Sequence, residues 1–229
     1  CWKLPRSTTY GLMMRWWWHI HGTRRATSSA STWRVRALSK PTLYFAYGSN
    51  LSQQDLDDWK KGNPKYAKVD LKLKKVANGY LPSYRLGFTR KSKSERRGFM
   101  GVADIVKTEN EPQSRVWGVI FSLTRDQDKA IAAKEGNTYA YQQLEVDVTD
   151  LNGVKHRCLT YEAIVEKGKQ RKYLYHRPFE KYYEVIRKGG EDHGLPQEFF
   201  EHLKVASMTE RNPVGIRMND TRGMRLENE

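Results

Sequence analysis

Cysteine is nearly absent from the sequence. Only Cys1 and Cys158 occur in 229 residues. Two thiols exclude a disulfide framework, and a zinc ion would have to take its other ligands from histidine or carboxylate side chains. We interpret Cys158 as a small buried hydrophobic residue. The fold must therefore be held together by an ordinary apolar core.

Long apolar runs are also missing. No stretch reaches the roughly 18 apolar residues that a membrane-spanning helix needs, and no apolar segment behind a basic start predicts secretion. The composition, 38% hydrophobic and 29% charged residues, instead indicates one globular domain with a sizeable core. We expect a soluble cytoplasmic protein with no membrane partner.

The positive charge is unevenly distributed along the chain. Lys and Arg number 41 against 26 Asp and Glu, which gives a formal net charge of +15. Residues 1–40 hold eight of the basic residues and no acidic one, and residues 206–229 hold four of each sign. The 29 basic and 22 acidic residues that remain leave a mild excess that a solvated surface explains. We therefore do not expect nucleic acid to be a partner.

These differences divide the chain into three parts. Residues 1–40 contain five of the seven tryptophans and have no helical or strand period, so we expect a basic leader that is disordered or non-native. His19 and His21 in this leader have no carboxylate or thiolate nearby in the sequence that could complete a metal site. Residues 41–205 form the predicted domain. Residues 206–229 are a polar C-terminal tail.

The domain opens on a strand that runs into a turn and then a helix. Residues 43–47 are an apolar, β-rich run, Gly48-Ser49-Asn50 follows at once, and residues 52–55 resemble a capping box for a helix that ends near Gly62. Backbone amides at such a turn can bind anions. An ordinary strand-to-helix turn is the alternative interpretation of these residues.

Alternating apolar side chains predict most of the other elements. A capping box at residues 124–127 opens a helix that should end at Gly136, and Pro178 and Pro196 indicate the first turns of two closing helices. Since strands outnumber helices and a hairpin turn occurs at Asn152-Gly153, we predict an α+β fold with a mostly antiparallel, barrel-like sheet. The further strands are expected at residues 69–73, 84–88, 99–106, 116–123, 139–148 and 154–163.

One acidic residue and two tyrosines are candidates for chemistry. Glu135 lies in the last turn of its predicted helix, where the helix dipole disfavours a carboxylate. Partial burial there would raise its pKa towards the range useful for proton transfer, although an exposed side chain beside Lys134 is the alternative. Tyr141 and Tyr182 each offer a hydroxyl to a ligand. Tyr141 is expected to lie outside the main core, on the strand face opposite Leu144.

Several common catalytic motifs do not occur. The sequence contains no P-loop, dinucleotide-binding glycine motif, HExxH, CxxC or Gly-x-Ser-x-Gly. We therefore expect neither a metal nor a nucleotide cofactor.

The motifs that are present resemble one known family. Residues 44–51, Tyr-Phe-Ala-Tyr-Gly-Ser-Asn-Leu, are similar to the opening signature of the γ-glutamylcyclotransferase family. Other segments follow in the family's order and at about its spacing, so that the resemblance covers residues 42 to 205. These segments are residues 101–105, 116–119, 134–136, 141–146 and 189–196.

The resemblance implies a fold, a reaction and a set of site residues. The fold is a small mixed β-barrel flanked by helices. The reaction is a cofactor-independent cyclisation, of lyase or acyltransferase type, in which the α-amine of a γ-glutamyl substrate attacks its own γ-carbonyl and releases 5-oxoproline. Glu135 matches the family's catalytic glutamate. The matching substrate-binding residues are Tyr47, Gly48, Ser49, Asn50, Leu51, Tyr141 and Tyr182.

Some questions stay open at this point. The leaving group could be an amino acid, an amine or a carrier-bound chain, and the chain could act as a monomer or a homodimer. A different hypothesis is a non-catalytic binding module, in which the basic stretch from Lys91 to Arg97, with Phe88 and Phe99 nearby, contacts RNA. We favour the enzyme because the charge forms no concentrated stripe and no RNA-binding motif occurs.

Overall fold

The structure is a computed structural model that describes residues 41–109, 111–136, 139–165 and 174–208. The predicted leader, residues 1–40, lies outside the described residues. Of the predicted tail, the structure describes residues 206–208. They are the last three residues of a helix that begins at Gln197 and so passes the expected boundary at 205.

The described chain begins with a strand and a helix, continues with four strands, a helix and two strands, and then has two helices. The strands are β1 Thr42–Ala46, β2 Lys74–Pro82, β3 Tyr84–Lys91, β4 Gly101–Lys107, β5 Arg115–Leu123, β6 Tyr141–Asp150 and β7 Lys155–Ala163. The helices are α1 Gln53–Lys61, α2 Arg125–Glu135, α3 Glu180–Asp192 and α4 Gln197–Met208. Within the described ranges, no helix is long and apolar enough to cross a membrane.

Five strands close into a barrel. Their order is β1-β5-β2-β6-β7, and β7 returns to β1. The β1–β7 pair is parallel, whereas the other pairs are antiparallel. Strands β3 and β4 form a separate antiparallel hairpin. This architecture confirms the predicted α+β fold with a small mixed, mostly antiparallel β-barrel and flanking helices.

The barrel interior is apolar and closely packed. Phe45 and Ile120 face each other across β1 and β5 and are fully buried. Gly118 lies where the two strands come closest, and a Cβ atom there would stand 2.2 Å from the carbonyl oxygen of Ala46. Glycine is therefore required at this position because no side chain fits between the strands.

Local capping explains where two helices begin and end. Thr124 and Gln127 form the predicted capping box at the start of α2, and Gly136 ends that helix with a φ of 59°. At the start of α1, Ser52 Oγ accepts a hydrogen bond from the amide of Asp55 at 3.3 Å. The Asp55 carboxylate, however, pairs with side chains from elsewhere in the chain, as described below.

The structure departs from the predicted strands at several places. It contains a strand that was not predicted, β2, and β6 begins at Tyr141 rather than at residue 139. Residues 69–73 form no strand, because the carbonyl oxygens of Asp70 and Lys72 accept hydrogen bonds from the side chain of Gln127 on α2. Strand β4 begins at Gly101 rather than at Phe99. Phe99 instead lies in a tight turn with a φ of 54°, which is the left-handed backbone region and is incompatible with a strand.

A buried carboxylate joins the hairpin to the barrel. Asp104 on β4 is fully buried. It accepts hydrogen bonds from the hydroxyl of Thr89 on β3 and, at 2.7 Å, from the amide of Ala163 on β7. Because buried donors and acceptors are costly when unpaired, these bonds fix the hairpin against the barrel wall.

We predict that Asp104→Ala strongly destabilises the protein. The substitution leaves the Thr89 hydroxyl and the Ala163 amide without their partner, which we expect to cost about 3 kcal/mol of unfolding free energy. The melting temperature should then fall by roughly 6–12 °C. Thermal unfolding followed by circular dichroism measures this change. The control is Asp147→Ala, which removes an exposed partner of Arg157; equal melting temperatures for the two variants would contradict the prediction.

Candidate active site

A cavity of about 550 Å³ opens at one end of the barrel. Its walls come from the turn after β1, the end of α2, the connection between β3 and β4, and the first part of α3. Most of the residues that the sequence predicts for the site line it. They are Tyr47, Gly48, Ser49, Asn50, Glu135, Tyr141 and Tyr182.

The turn after β1 is a single 3-10 turn over Ser49–Leu51. The amide of Leu51 donates to the carbonyl of Gly48, and that of Ser52 donates to the carbonyl of Ser49, both at 3.0 Å. In the part of the chain that the structure describes, the amides of Ser49 and Asn50 have no backbone or side-chain acceptor, as is usual for the first amides of a helical turn. These two donors are available to a ligand in the cavity.

Asn50 connects this turn to the end of α2. Its side chain is buried, and its Nδ2 donates to Glu135 Oε1 at 2.5 Å. The same Nδ2 donates to the hydroxyl of Tyr44 at 2.7 Å. The carboxylate of Glu135 is therefore held against the turn, and its position is determined by a residue 85 positions earlier in the sequence.

The environment of Glu135 raises its pKa. Burial is the largest cause, because it penalises the charged form. Lys134, Arg97 and the hydrogen bond from Asn50 act in the opposite direction, and the nearby carboxylate of Asp55 adds to the increase. The result agrees with the direction predicted from the sequence, although burial rather than helix position is the main cause.

Two cations and one carboxylate form a cluster beside Glu135. Asp55 Oδ2 lies 2.9 Å from Lys134 Nζ and 2.9 Å from Arg97 Nη2. Burial alone would raise the pKa of Asp55, but the charges of Lys134 and Arg97 hold it far below its usual range. Both cations also reach Ser49, with Oγ 3.0 Å from Arg97 Nη2 and 3.4 Å from Lys134 Nζ. The cavity therefore has a positively charged wall next to the turn.

Tyr141 and Tyr182 bond to the same residue of β4. Tyr141 donates its hydroxyl to the carbonyl of Ala103 at 2.9 Å, and the hydroxyl of Tyr182 accepts from the amide of Ala103 at 3.1 Å. The expectation that Tyr141 escapes the main core is wrong. Tyr141 is 8% exposed and belongs to the core cluster, because its hydroxyl bonds to Ala103 on β4 and Arg90 on β3 lies over its ring.

The turn residues Tyr47 and Leu51 differ in their relation to the cavity. Tyr47 lines it, but its hydroxyl donates to the carbonyl of Tyr161 at 2.6 Å. Leu51 is not among the residues that line the cavity. It is 1% exposed and packs against Gly189 of α3. Its predicted part in substrate binding is therefore limited to holding the turn on α3.

Arg97, Lys134 and Asp55 were not predicted as site residues. The sequence places Asp55 in the capping box at residues 52–55. This position at the start of α1 gives no sign of its two cationic partners. Arg97 belongs to the basic stretch that was considered for RNA contact. Its guanidinium instead points to Asp55 and stacks over the ring of Tyr182 at 4.3 Å, so it faces the cavity rather than an outside partner.

The site has no group of ligands suited to a metal. Among the described residues, no cluster of three or more histidine, cysteine, aspartate or glutamate side chains could hold a metal ion. The polar groups that line the cavity include the carboxylate of Glu135, the amides of the turn, the cations and the tyrosine hydroxyls.

The chain is similar in sequence to γ-glutamylcyclotransferases and matches an AIG2-like family model. A family model described as AIG2-like matches residues 115–203. The chain is 28% identical to mouse γ-glutamylcyclotransferase over 181 residues, which is 78% of this chain and 86% of the mouse protein. It is 27% identical to the human γ-glutamylcyclotransferase over 165 residues, or 71% of this chain and 77% of the human protein.

Solved structures support the same relationship at the level of the fold. A structure named as a γ-glutamyl cyclotransferase superposes with a TM-score of 0.57 at 24% identity and covers 72% of this chain and 87% of its own. The two chains thus share an overall fold. The chain has a γ-glutamylcyclotransferase-like fold and a γ-glutamylcyclotransferase-like sequence, and the family resemblance indicated by its motifs is confirmed.

Proposed function

We propose that the protein is a γ-glutamylcyclotransferase that releases 5-oxoproline from a γ-glutamyl amino acid or amine without a cofactor. The observation that supports this most directly is the 2.5 Å hydrogen bond between Asn50 and Glu135. It holds a carboxylate of raised pKa against the turn after β1, inside a cavity large enough for a small molecule.

In the proposed reaction Glu135 moves protons between two substrate nitrogens. Its carboxylate accepts a proton from the substrate α-ammonium, and the resulting amine attacks the γ-carbonyl carbon to form the ring C–N bond. The carbonyl oxygen becomes an oxyanion. When the oxyanion collapses, the bond to the leaving nitrogen breaks and Glu135 returns its proton to that nitrogen. The ring nitrogen still carries one proton too many, and it gives that proton to the departing amine. Glu135 is a carboxylate again because it has returned the proton that it took.

The reaction places few chemical demands on the protein, because the two reacting groups belong to one substrate molecule. Closing a five-membered ring is an intramolecular step, and well-oriented intramolecular reactions reach effective molarities of about 10⁵ M or more. The protein therefore has to hold the γ-glutamyl chain folded and supply a proton carrier. No protein nucleophile is needed, which agrees with the absence of a nucleophile motif from the sequence.

The remaining groups of the cavity suit the substrate's oxygens. We assign the amides of Gly48, Ser49 and Asn50 to the α-carboxylate and the developing oxyanion, where fixed donors are most effective. Tyr182 already accepts a bond from Ala103, so its own hydroxyl proton can be donated to a substrate oxygen. Tyr141 packs alongside and lines the pocket.

We predict that Glu135→Gln nearly abolishes the release of 5-oxoproline. The amide can neither accept nor return a proton, and general acid–base catalysis contributes about 10²–10⁴-fold to rate. The measurement is 5-oxoproline release from a panel of γ-glutamyl dipeptides and γ-glutamyl amines, which also identifies the leaving group. Glu145→Gln is a matched control, because Glu145 is exposed and pairs with Arg157 at the surface.

Folding must be checked in the same variant. Glutamine has nearly the same shape as glutamate and can still bond to Asn50, so Glu135→Gln should melt close to the wild-type temperature. A variant that is folded and releases 5-oxoproline at the wild-type rate would refute the role assigned to Glu135.

We also predict a specific pH dependence for kcat/KM. The base must be ionised, so the rate falls as the pH drops through the pKa of Glu135. Because burial raises that pKa above the ordinary 4.5, the acidic limb should lie above pH 4.5. The substrate's α-carboxyl and α-ammonium groups share one carbon, so the first titrates below and the second above the chain-terminal values of about 3.5 and about 8. Measuring kcat/KM between pH 4 and pH 8 tests this, and a limb at or below pH 4.5 would be inconsistent with the proposal.

A further inference from the structure

The charged cluster beside Glu135 has no part in the reaction described so far. It consists of Asp55, Arg97 and Lys134, which come from α1, the β3–β4 connection and α2. We infer that Asp55 and Lys134 are positioning residues, which orient the Asn50 amide and through it the Glu135 carboxylate. This inference rests on the proposed function of Glu135.

The first step of the chain of contacts is the ion pair. The side chains of Asp55 and Lys134 are each 5% exposed, and Oδ2 and Nζ lie 2.9 Å apart. A lysine ammonium buried to this degree is costly unless it is paired and hydrogen-bonded. Asp55 therefore determines where the ammonium of Lys134 sits.

The second step is the orientation of Asn50. Lys134 Nζ donates to Asn50 Oδ1 at 2.5 Å. The two ends of an asparagine side chain differ, since the oxygen only accepts and the nitrogen only donates. With its oxygen held by Lys134, the amide must present its nitrogen to Glu135 Oε1 and to the Tyr44 hydroxyl. The ionised Glu135 carboxylate also selects the nitrogen, because it can only accept. Without the ammonium, Asn50 Oδ1 loses the donor that fixes the other end of the amide.

Arg97 holds the cluster from its other side. Its Nη2 bonds to the same Oδ2 of Asp55 at 2.9 Å, and its guanidinium stacks over Tyr182 at 4.3 Å. The Asp55 carboxylate is thus fixed between two cations. This leaves it little freedom to release Lys134.

The cluster also acts on the charge of Glu135. The cations Lys134 on α2 and Arg97 on the β3–β4 connection lower its pKa, and Asp55 on α1 raises it. The other titratable groups that face the carboxylate are tyrosines from β1, the turn, β6, β7 and α3. They are Tyr44, Tyr47, Tyr141, Tyr161 and Tyr182.

A merely structural role would give different results. If the cluster only fastens α1 to the end of α2 and adds charge, its removal lowers stability and moves the titration of Glu135, but it leaves kcat of the folded protein unchanged at a pH where Glu135 is ionised. A positioning role predicts instead that kcat at that pH falls in both variants, although the two substitutions shift the titration in opposite directions.

The experiment compares Lys134→Met with Asp55→Asn in the full chain. Removing the cation should raise the pKa of Glu135 and move the acidic limb of kcat/KM to higher pH, whereas removing Asp55 should move both to lower pH. In each variant kcat should fall by about 10- to 100-fold, because small misplacements of a catalytic group are costly. The control is Lys129→Met, since Lys129 lies on the same helix but is 60% exposed and should leave the limb unchanged.

A second readout does not depend on turnover. Protein labelled with ¹³C at glutamate carboxyls is titrated by NMR, and the Glu135 resonance is the one missing from the Glu135→Gln spectrum. If wild-type protein releases no 5-oxoproline but the two variants shift this resonance in opposite directions, the proposed function fails while the coupling of the cluster to Glu135 stands. If 5-oxoproline is released and kcat at a pH where Glu135 is ionised is unchanged in either variant, or the resonance shifts in neither, the inference is overturned.

Asp55→Asn carries a risk of misfolding, because it leaves two cations unpaired in a buried place. In that event Lys134→Arg is compared with Lys134→Met. Arginine keeps the charge and can still donate to Asn50, so it should restore the wild-type limb and part of kcat. Equal pH profiles for the two lysine variants would also overturn the inference.

Discussion

The arrangement of the cavity depends on one hydrogen bond, from Asn50 Nδ2 to Glu135 Oε1. A partly buried carboxylate needs a donor, because burial without one is costly. Here the donor comes from the turn after β1, and the acceptor comes from the last residue of α2. Together with the contacts of Lys134 to Asn50 and Ser49, this bond fixes the strand-turn motif relative to the helix that carries the acid. The geometry of the cavity follows from that constraint, since its other walls pack around these two elements.

The barrel makes this contact possible by bringing distant parts of the chain together. Strand β1 pairs with β5 on one side and with β7 on the other, so the turn that follows it opens at the barrel's end. Helix α2 follows directly from β5 and runs until Gly136 stops it. The position of Glu135 therefore depends both on the pairing of β1 with β5 and on the length of α2. Neither of the two alone would bring Glu135 to the turn.

The parts of the structure that were predicted correctly depend on local sequence. The capping box at Thr124, the stop at Gly136 and the strand before Gly48 each involve residues within a few positions of one another. The barrel itself followed from the family resemblance and from the alternation of apolar residues. Glu135 was singled out because a carboxylate at a helix end is locally unfavourable, and such a conflict is a useful signal of function.

The parts that were missed depend on contacts between distant residues. Asp55 meets Arg97 across 42 positions, and nothing in the spacing of either residue indicates the other. The strand expected at residues 69–73 does not form. The side chain of Gln127, 57 positions later, donates instead to the carbonyl of Asp70. Leu51 was assigned to the substrate with its neighbours in the motif, but one step along a 3-10 turn rotates a side chain away from the cavity and into the core.

The contacts of Ala103 limit which substitutions the wall of the pocket can accept. Its amide and carbonyl hold two tyrosine hydroxyls, and its methyl group faces Gly48, where a Cβ would stand only 3.3 Å away. A bulkier residue at position 103 would press on the glycine of the turn and shift both rings together. A change in the size of the pocket is thus unfavourable at this wall and falls to other lining positions, such as Lys93 and Tyr139.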